Sequence, residues 1–219
     1  MKITKKLLML LSIAVCIGIS SCSNDDDDSS GGGNPSVIDV KVENGNEYND
    51  WIATVKALIV EDEGRYSDGG YYWIGYEVAS CEYKNGGFKL NLPSSIPSQY
   101  LEPWYDEDDE DYNYIHVSDK NAKVQNIWIL AYNEQGREIG CFSLEGSNAN
   151  FDVETWYIYA DRNFTVKGTV EDDEDKFVCD LSFKKGWNII YDKDIEDVGN
   201  TISTSKPSGV TLKWYFEEY

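Results

Sequence analysis

Short runs of strictly alternating apolar and polar residues, each bounded by a Gly or Asn turn, limit what this chain can fold into. "FKLNL" puts Phe88, Leu90 and Leu92 on one side. "FTVKGTV" does the same with Phe164, Val166 and Val170, and "VTLKWYF" with Val210, Leu212, Trp214 and Phe216. A period of two is the signature of a half-buried β-strand. Turn chemistry separates the runs at Asp68-Gly69-Gly70, Asn85-Gly86-Gly87, Asn133 to Gly136, Lys185-Gly186 and Pro207-Ser208-Gly209. "NIWILAY", from Asn126 to Tyr132, is apolar on both faces and reads as a central strand. "DWIATVKALIVEDE" fits a helix through Trp51, Val55, Leu58 and Ile59. It also fits a strand with Trp51, Ala53, Val55, Ala57 and Ile59 in step, and its β-branched content favours the strand. The expected fold is all-β, an antiparallel β-sandwich of one or two packed β subdomains, with a β-barrel as the alternative.

The N-terminus has a different character. Lys2, Lys5 and Lys6 precede an apolar run, Leu7–Ile19, broken only by Ser12 and Gly18. It is shorter than the roughly 20 residues that span a bilayer, and reads as an export signal over residues 1–21. Its end, Ile19-Ser20-Ser21-Cys22, resembles a bacterial lipoprotein lipobox, with Ile19 where Leu is usual. That resemblance implies lipid attachment at Cys22, where a thiol supplies the nucleophile for the thioether, and several acyl chains hold the protein to a membrane. Residues Ser23, Asn24, Asp25, Asp26, Asp27 and Asp28 resemble the acidic export tag of Bacteroidetes surface lipoproteins. The expected address is therefore the outer membrane, facing the extracellular side, with the periplasmic face as the alternative. Residues 22–35 read as a lipidated cysteine on a flexible acidic and Gly-rich leash, and 36–219 as the folded part.

Within 36–219, the stretch 93–122 stands apart. Pro93, Pro97 and Pro103 lead into the acidic run Asp106–Asp111. Both features disfavour regular structure, so a long excursion or a boundary between subdomains is expected there. "ASCEYKNGGFKLNLP" resembles prealbumin-like β-sandwich modules of secreted bacterial proteins. "DLSFKKGWNIIY" resembles segments common in Bacteroidetes lipoproteins of unassigned activity. Neither resemblance implies a catalytic residue.

Composition narrows the function classes. The net charge of −21 opposes nucleic acid as a partner, since such binding relies on basic patches. The single histidine, His116, and the absence of methionine after Met9 leave little for a haem or multi-His metal centre. Cys81, Cys141 and Cys179 form no CxxC pair. Cys179 shares a strand face with Phe177, Leu181 and Phe183 and reads as a buried, inert thiol. "DKDIEDVGN" at 192–200 lacks the turn glycine of an EF-hand loop, with Asp197 in its place, so no metal site is expected. No nucleophile or phosphate-loop motif is present, and no cofactor is expected.

Aromatics are abundant, with 7 Trp, 16 Tyr and 7 Phe. Exposed rings on β-sandwiches stack on the apolar faces of sugars. In the excursion, Tyr100, Trp104, Tyr105, Tyr112 and Tyr114 lie among carboxylates and are the candidate ligand-binding residues. "SDGGYYWIGY" is a second aromatic cluster. Trp128, Trp156, Trp187 and Trp214 fall in strand-like runs and are expected in the core. The expected function is a non-catalytic, surface-anchored binding or structural lipoprotein for a glycan or a protein. The alternatives are an enzyme acting on extracellular polysaccharide and a component of a surface assembly.

Overall fold

A computed structural model describes residues 36–105, 114–171, 176–195 and 198–219. The leader, Cys22, the acidic tag and the leash lie outside them, as do the acidic run 106–111 and Tyr112. The described residues are all-β, and no helix among them is long and apolar enough to cross a membrane. The strands are β1 (Val37–Lys41), β2 (Thr54–Arg65), β3 (Tyr71–Lys84), β4 (Gly87–Asn91), β5 (Glu102–Pro103), β6 (Ile115–Val117) and β7 (Lys123–Tyr132). There follow β8 (Glu138–Ser147), β9 (Asp152–Ala160), β10 (Phe164–Glu171), β11 (Lys176–Phe183), β12 (Gly186–Ile195), β13 (Gly199–Ser203) and β14 (Lys213–Glu218).

Hydrogen bonding links them in the order β1-β4-β3-β2-β7-β8-β9-β12-β13-β11-β10-β6, with β14 on β8 and β5 on β7. Pairing is antiparallel except for β11 with β13. The path does not close, so the barrel alternative fails and the sandwich-like reading holds. Local chemistry sets much of it. β3 and β4 are joined by the two-residue loop Asn85-Gly86, both at positive φ (54° and 70°), the type I′ geometry that suits a tight hairpin. Asn49 Oδ1 accepts from the Gly86 N–H at 2.7 Å and fixes the loop to the preceding segment.

The apolar faces build two hydrophobic clusters. The first gathers Ile38, Val55, Ala57, Ile59, Phe88, Leu90, Ile129, Phe142, Trp187, Trp214 and Phe216. The second gathers Trp104, Ile115, Ile158, Phe164, Val166, Cys179, Leu181, Phe183 and Ile190. β9 serves both: Tyr157 and Tyr159 face the first core, Ile158 and Ala160 the second. β12 divides in the same way between Trp187 and Ile190. Burial of these side chains is the main stabilising term, at roughly 25 cal/mol per Å² of apolar surface.

The ambiguous segment after Asp50 resolves as strand from Thr54, with Val55, Ala57 and Ile59 inward. Trp51 precedes the strand and stays outside it. The excursion at 93–122 departs from expectation. Its described residues carry β5, β6 and a short 3₁₀ turn at Ser98–Tyr100, and Ile96 and Trp104 are buried. Apolar anchors at those two positions outweigh the prolines.

β7 positions the site. Its second half pairs with β8 at Leu130↔Cys141 and Ala131↔Gly140. Its first half pairs with β9 from Val124↔Ala160 to Ile127↔Tyr157. β8 and β9 meet only at Gly146↔Val153 and Ser147↔Asp152. The three strands thus enclose a gap where the sheet forks, bordered by 128–129, 142–145 and 154–156. Thr155 Oγ1 reaches across it to donate to the Leu144 carbonyl at 2.8 Å.

Candidate functional site

The structure does not gather the loop aromatics into one platform. Tyr100 stacks on Tyr76, with ring centroids 4.2 Å apart, and packs on the first core. Trp104 is only 6% exposed and lies in the second core against Phe183 (5.3 Å) and Phe164 (6.1 Å). Its faces are covered, which corrects the expectation that it would stack on a ligand. Tyr105 is half-buried, with the Lys120 ammonium 4.1 Å over its ring and donating to its hydroxyl. Tyr114 is exposed. Tyr112 lies outside the described residues.

The strand tryptophans also divide. Trp187 and Trp214 are core residues, as expected. Trp128 and Trp156 are only half-buried and line the fork. The second face of "NIWILAY" accordingly opens onto a groove at Trp128. Trp128 is braced by Trp73, 5.3 Å away, and Trp156 by the second core.

The groove has a volume of about 100 Å³. β7 contributes Asn126 and Trp128, β8 Ser143 and Glu145, β9 Glu154 and Trp156, and β14 Glu217. Register explains the convergence. Glu217 lies opposite Cys141 and Tyr215 opposite Ser143, so Cys141, Ser143 and Glu217 share the sheet face that turns away from the first core. Ser143 Oγ donates to Glu217 Oε1 at 3.2 Å. The lining contains three carboxylates and no basic side chain. Lys213 stands opposite Glu145 in register, but its ammonium goes to Glu43 at 3.0 Å.

Loss of hydration, and then the crowding of like charges, perturbs Glu154 and Glu145. Glu154 is exposed by surface area yet sits in a concave wall. Loss of hydration, then the neighbouring Asp192, Glu145, Glu217 and Asp152, push its carboxyl up to about 7. Asp192, directly across on β12, is 6% exposed and rises to about 6 through burial. The Asn200 amide, donating at 3.3 Å, opposes that rise, and Asp194 adds to it. Glu145 is raised by burial and then by Glu217 and Asp152. A fixed positive charge entering the groove would draw the Glu154 carboxyl into its ionised form.

Other candidates are quieter. Among the described residues no three His, Cys, Asp or Glu side chains are placed to hold a metal ion. Of the stretch 192–200, Asp192 to Ile195 and Gly199 to Asn200 are paired strand residues of β12 and β13. Cys81, Cys141 and Cys179 are free thiols. Burial pushes Cys141 and Cys179 up to about 12, so neither is poised as a nucleophile. Sequence reasoning missed the buried Glu138, whose Oε2 accepts from the Trp73 N–H and the Tyr132 hydroxyl, both at 3.1 Å. It also missed the fork acids. Glu145, Glu154 and Glu217 converge through strand pairing and share no local motif. No protein-family model, curated protein or solved structure matches this chain, and the groove is read from its own geometry.

Proposed function

We propose that this protein is a non-catalytic binding lipoprotein, anchored through Cys22 to the outer membrane and facing the extracellular side. It captures a cationic side chain of an extracellular protein partner in the fork groove. The groove lining carries this reading: two half-buried tryptophans and three carboxylates with no internal counter-charge. An ammonium or guanidinium gains both the carboxylates and the aromatic faces. The volume favours a single side-chain head, being smaller than the roughly 150 Å³ cavity that accepts benzene.

The test uses the full chain in detergent micelles with an acetyl-trilysine-amide probe and its Nε-acetylated form. The charged peptide should bind in a salt-sensitive manner. Glu154→Gln, which preserves shape, should weaken it by about tenfold, the scale of one charge-assisted contact. Equal binding of the acetylated peptide would remove this reading. The address is tested separately by protease shaving of intact cells. Survival of the protein there would count against surface display, and replacing Asp25 to Asp28 with Ala should move the protein inward.

A second reading, an enzyme acting on extracellular polysaccharide, is favoured by one observation. Loss of hydration and neighbouring carboxylates raise the Glu154 carboxyl to about 7, toward the general-acid role that glycoside hydrolysis uses. Release of reducing ends from a polysaccharide panel, abolished by Glu154→Gln, would replace the first reading with this one.

A further inference from the structure

Outside the fork lining, a single tryptophan stands in solvent. Trp51 is 58% exposed, although tryptophan is among the more buried residue types on average. It forms one wall of a shallow basin of about 260 Å³, together with Asp50, Asn133, Glu134, Gln135 and Ile139. The backbone under it is pinned. The Trp51 and Ile52 N–H groups both donate to the Tyr48 carbonyl, at 3.0 and 2.9 Å. Ile52 is buried, and the Ala53 N–H donates to the Tyr132 carbonyl at 2.9 Å. The opposite wall is pinned as well. In the β7–β8 turn, Asn133 Oδ1 accepts from the Gln135 and Arg137 N–H groups at 3.0 and 2.9 Å, and the Gly136 N–H donates to the Asn133 carbonyl at 2.9 Å. An exposed indole thus rises from a pinned backbone beside a pinned turn that carries amides and carboxylates.

From this geometry we propose that the Trp51 basin is a carbohydrate-binding site for an uncharged sugar ring. The indole face meets the apolar C–H face of a pyranose. The carboxylates of Asp50 and Glu134 accept from its hydroxyls, and the amide of Gln135 both donates and accepts. The same two carboxylates, with no basic residue in the basin, repel uronic acids and sulfated sugars. Ordering cost is confined to side chains because the backbone of both walls is already fixed. The site shares no residue with the fork groove and stands or falls independently of it.

The test is a titration of the full chain in detergent micelles with cellohexaose, maltohexaose, xylohexaose, mannohexaose and hexagalacturonate. At least one neutral oligosaccharide should bind. Trp51→Ala should weaken it by about tenfold, and Trp51→Phe should retain most of the affinity. Hexagalacturonate should bind more weakly than the neutral ligand. Trp51→Ala removes an exposed side chain, and an unchanged thermal midpoint will show that the fold is intact. Absence of binding by every neutral oligosaccharide overturns the proposal. So does binding insensitive to Trp51→Ala, or binding lost with Tyr114→Ala instead.

Discussion

Glu154 on β9 stands directly across from Asp192 on β12, carboxylate facing carboxylate on adjacent strands. The next pair on that face, Asp152 with Asp194, repeats the arrangement. Like charges directly opposite destabilise a sheet. Their placement beside the groove gives the fold a pH dependence of definite sign. Asp192 rises from 3.8 to about 6 on folding, and Glu154 from 4.5 to about 7. A carboxyl with a raised folded value ionises first in the unfolded chain, so stability falls as pH climbs from near 4 to near 7, then levels. The urea midpoint should therefore be lower at pH 7.5 than at pH 5. Asp192→Asn keeps an acceptor for Asn200 and should stabilise by about 1–3 kcal/mol at pH 7.5, with no gain below pH 4. Glu154→Gln should give less, because water still reaches that side chain. A midpoint that rises over this interval would contradict the assignment. The acids held low by surface partners, such as Asp68 beside Arg137, act mainly below pH 4.

Trp104 separates a packing role from a binding role. Buried against Phe164 and Phe183, its truncation to alanine should cost about 3–5 kcal/mol in denaturant unfolding. A ligand platform would lose affinity at unchanged stability.

The β3–β4 loop gives a backbone prediction. Gly86 sits at φ 70°, and an added Cβ would lie 2.4 Å from Asn46 Oδ1. Gly86→Ala should destabilise by about 1–2 kcal/mol, read as a shift in thermal midpoint. A neutral result would mean that the loop is not in this turn.

The described thiols should be slow to react. With Cys141 and Cys179 raised to about 12 and Cys81 raised by partial burial, each is overwhelmingly the thiol at pH 7.5. Labelling by an aromatic disulfide reagent should be slow in the native protein, and at the buried Cys179 complete only in guanidinium. Rapid native labelling of the buried Cys179 would show an opening that the fold does not contain.

The parts legible in the sequence are the local ones. Phe88, Leu90 and Leu92 point inward because alternation is a property of neighbouring residues, and Asn85-Gly86 marks its turn for the same reason. Cys179 followed from its strand face. What was not legible depends on which second layer a face meets. Trp128 and Trp156 have the same local pattern as Trp187 and Trp214, yet they border a gap instead of filling a core. Trp51 is in step with Val55, but the strand begins at Thr54 and leaves it outside. Trp104 lies among prolines and acids, and its burial is set by Phe164 and Phe183, far along the chain. The groove acids come from β8, β9 and β14, and no spacing within one segment announces them.

The division of β9 and β12 between two cores has a consequence for cooperativity. Each strand contributes alternate side chains to both clusters, so loosening either cluster removes one wall of the other. Scanning calorimetry should therefore show a single transition whose van't Hoff and calorimetric enthalpies agree. A protein built this way has no half-folded form to expose, and any segment that docks against β9 strengthens the whole molecule at once.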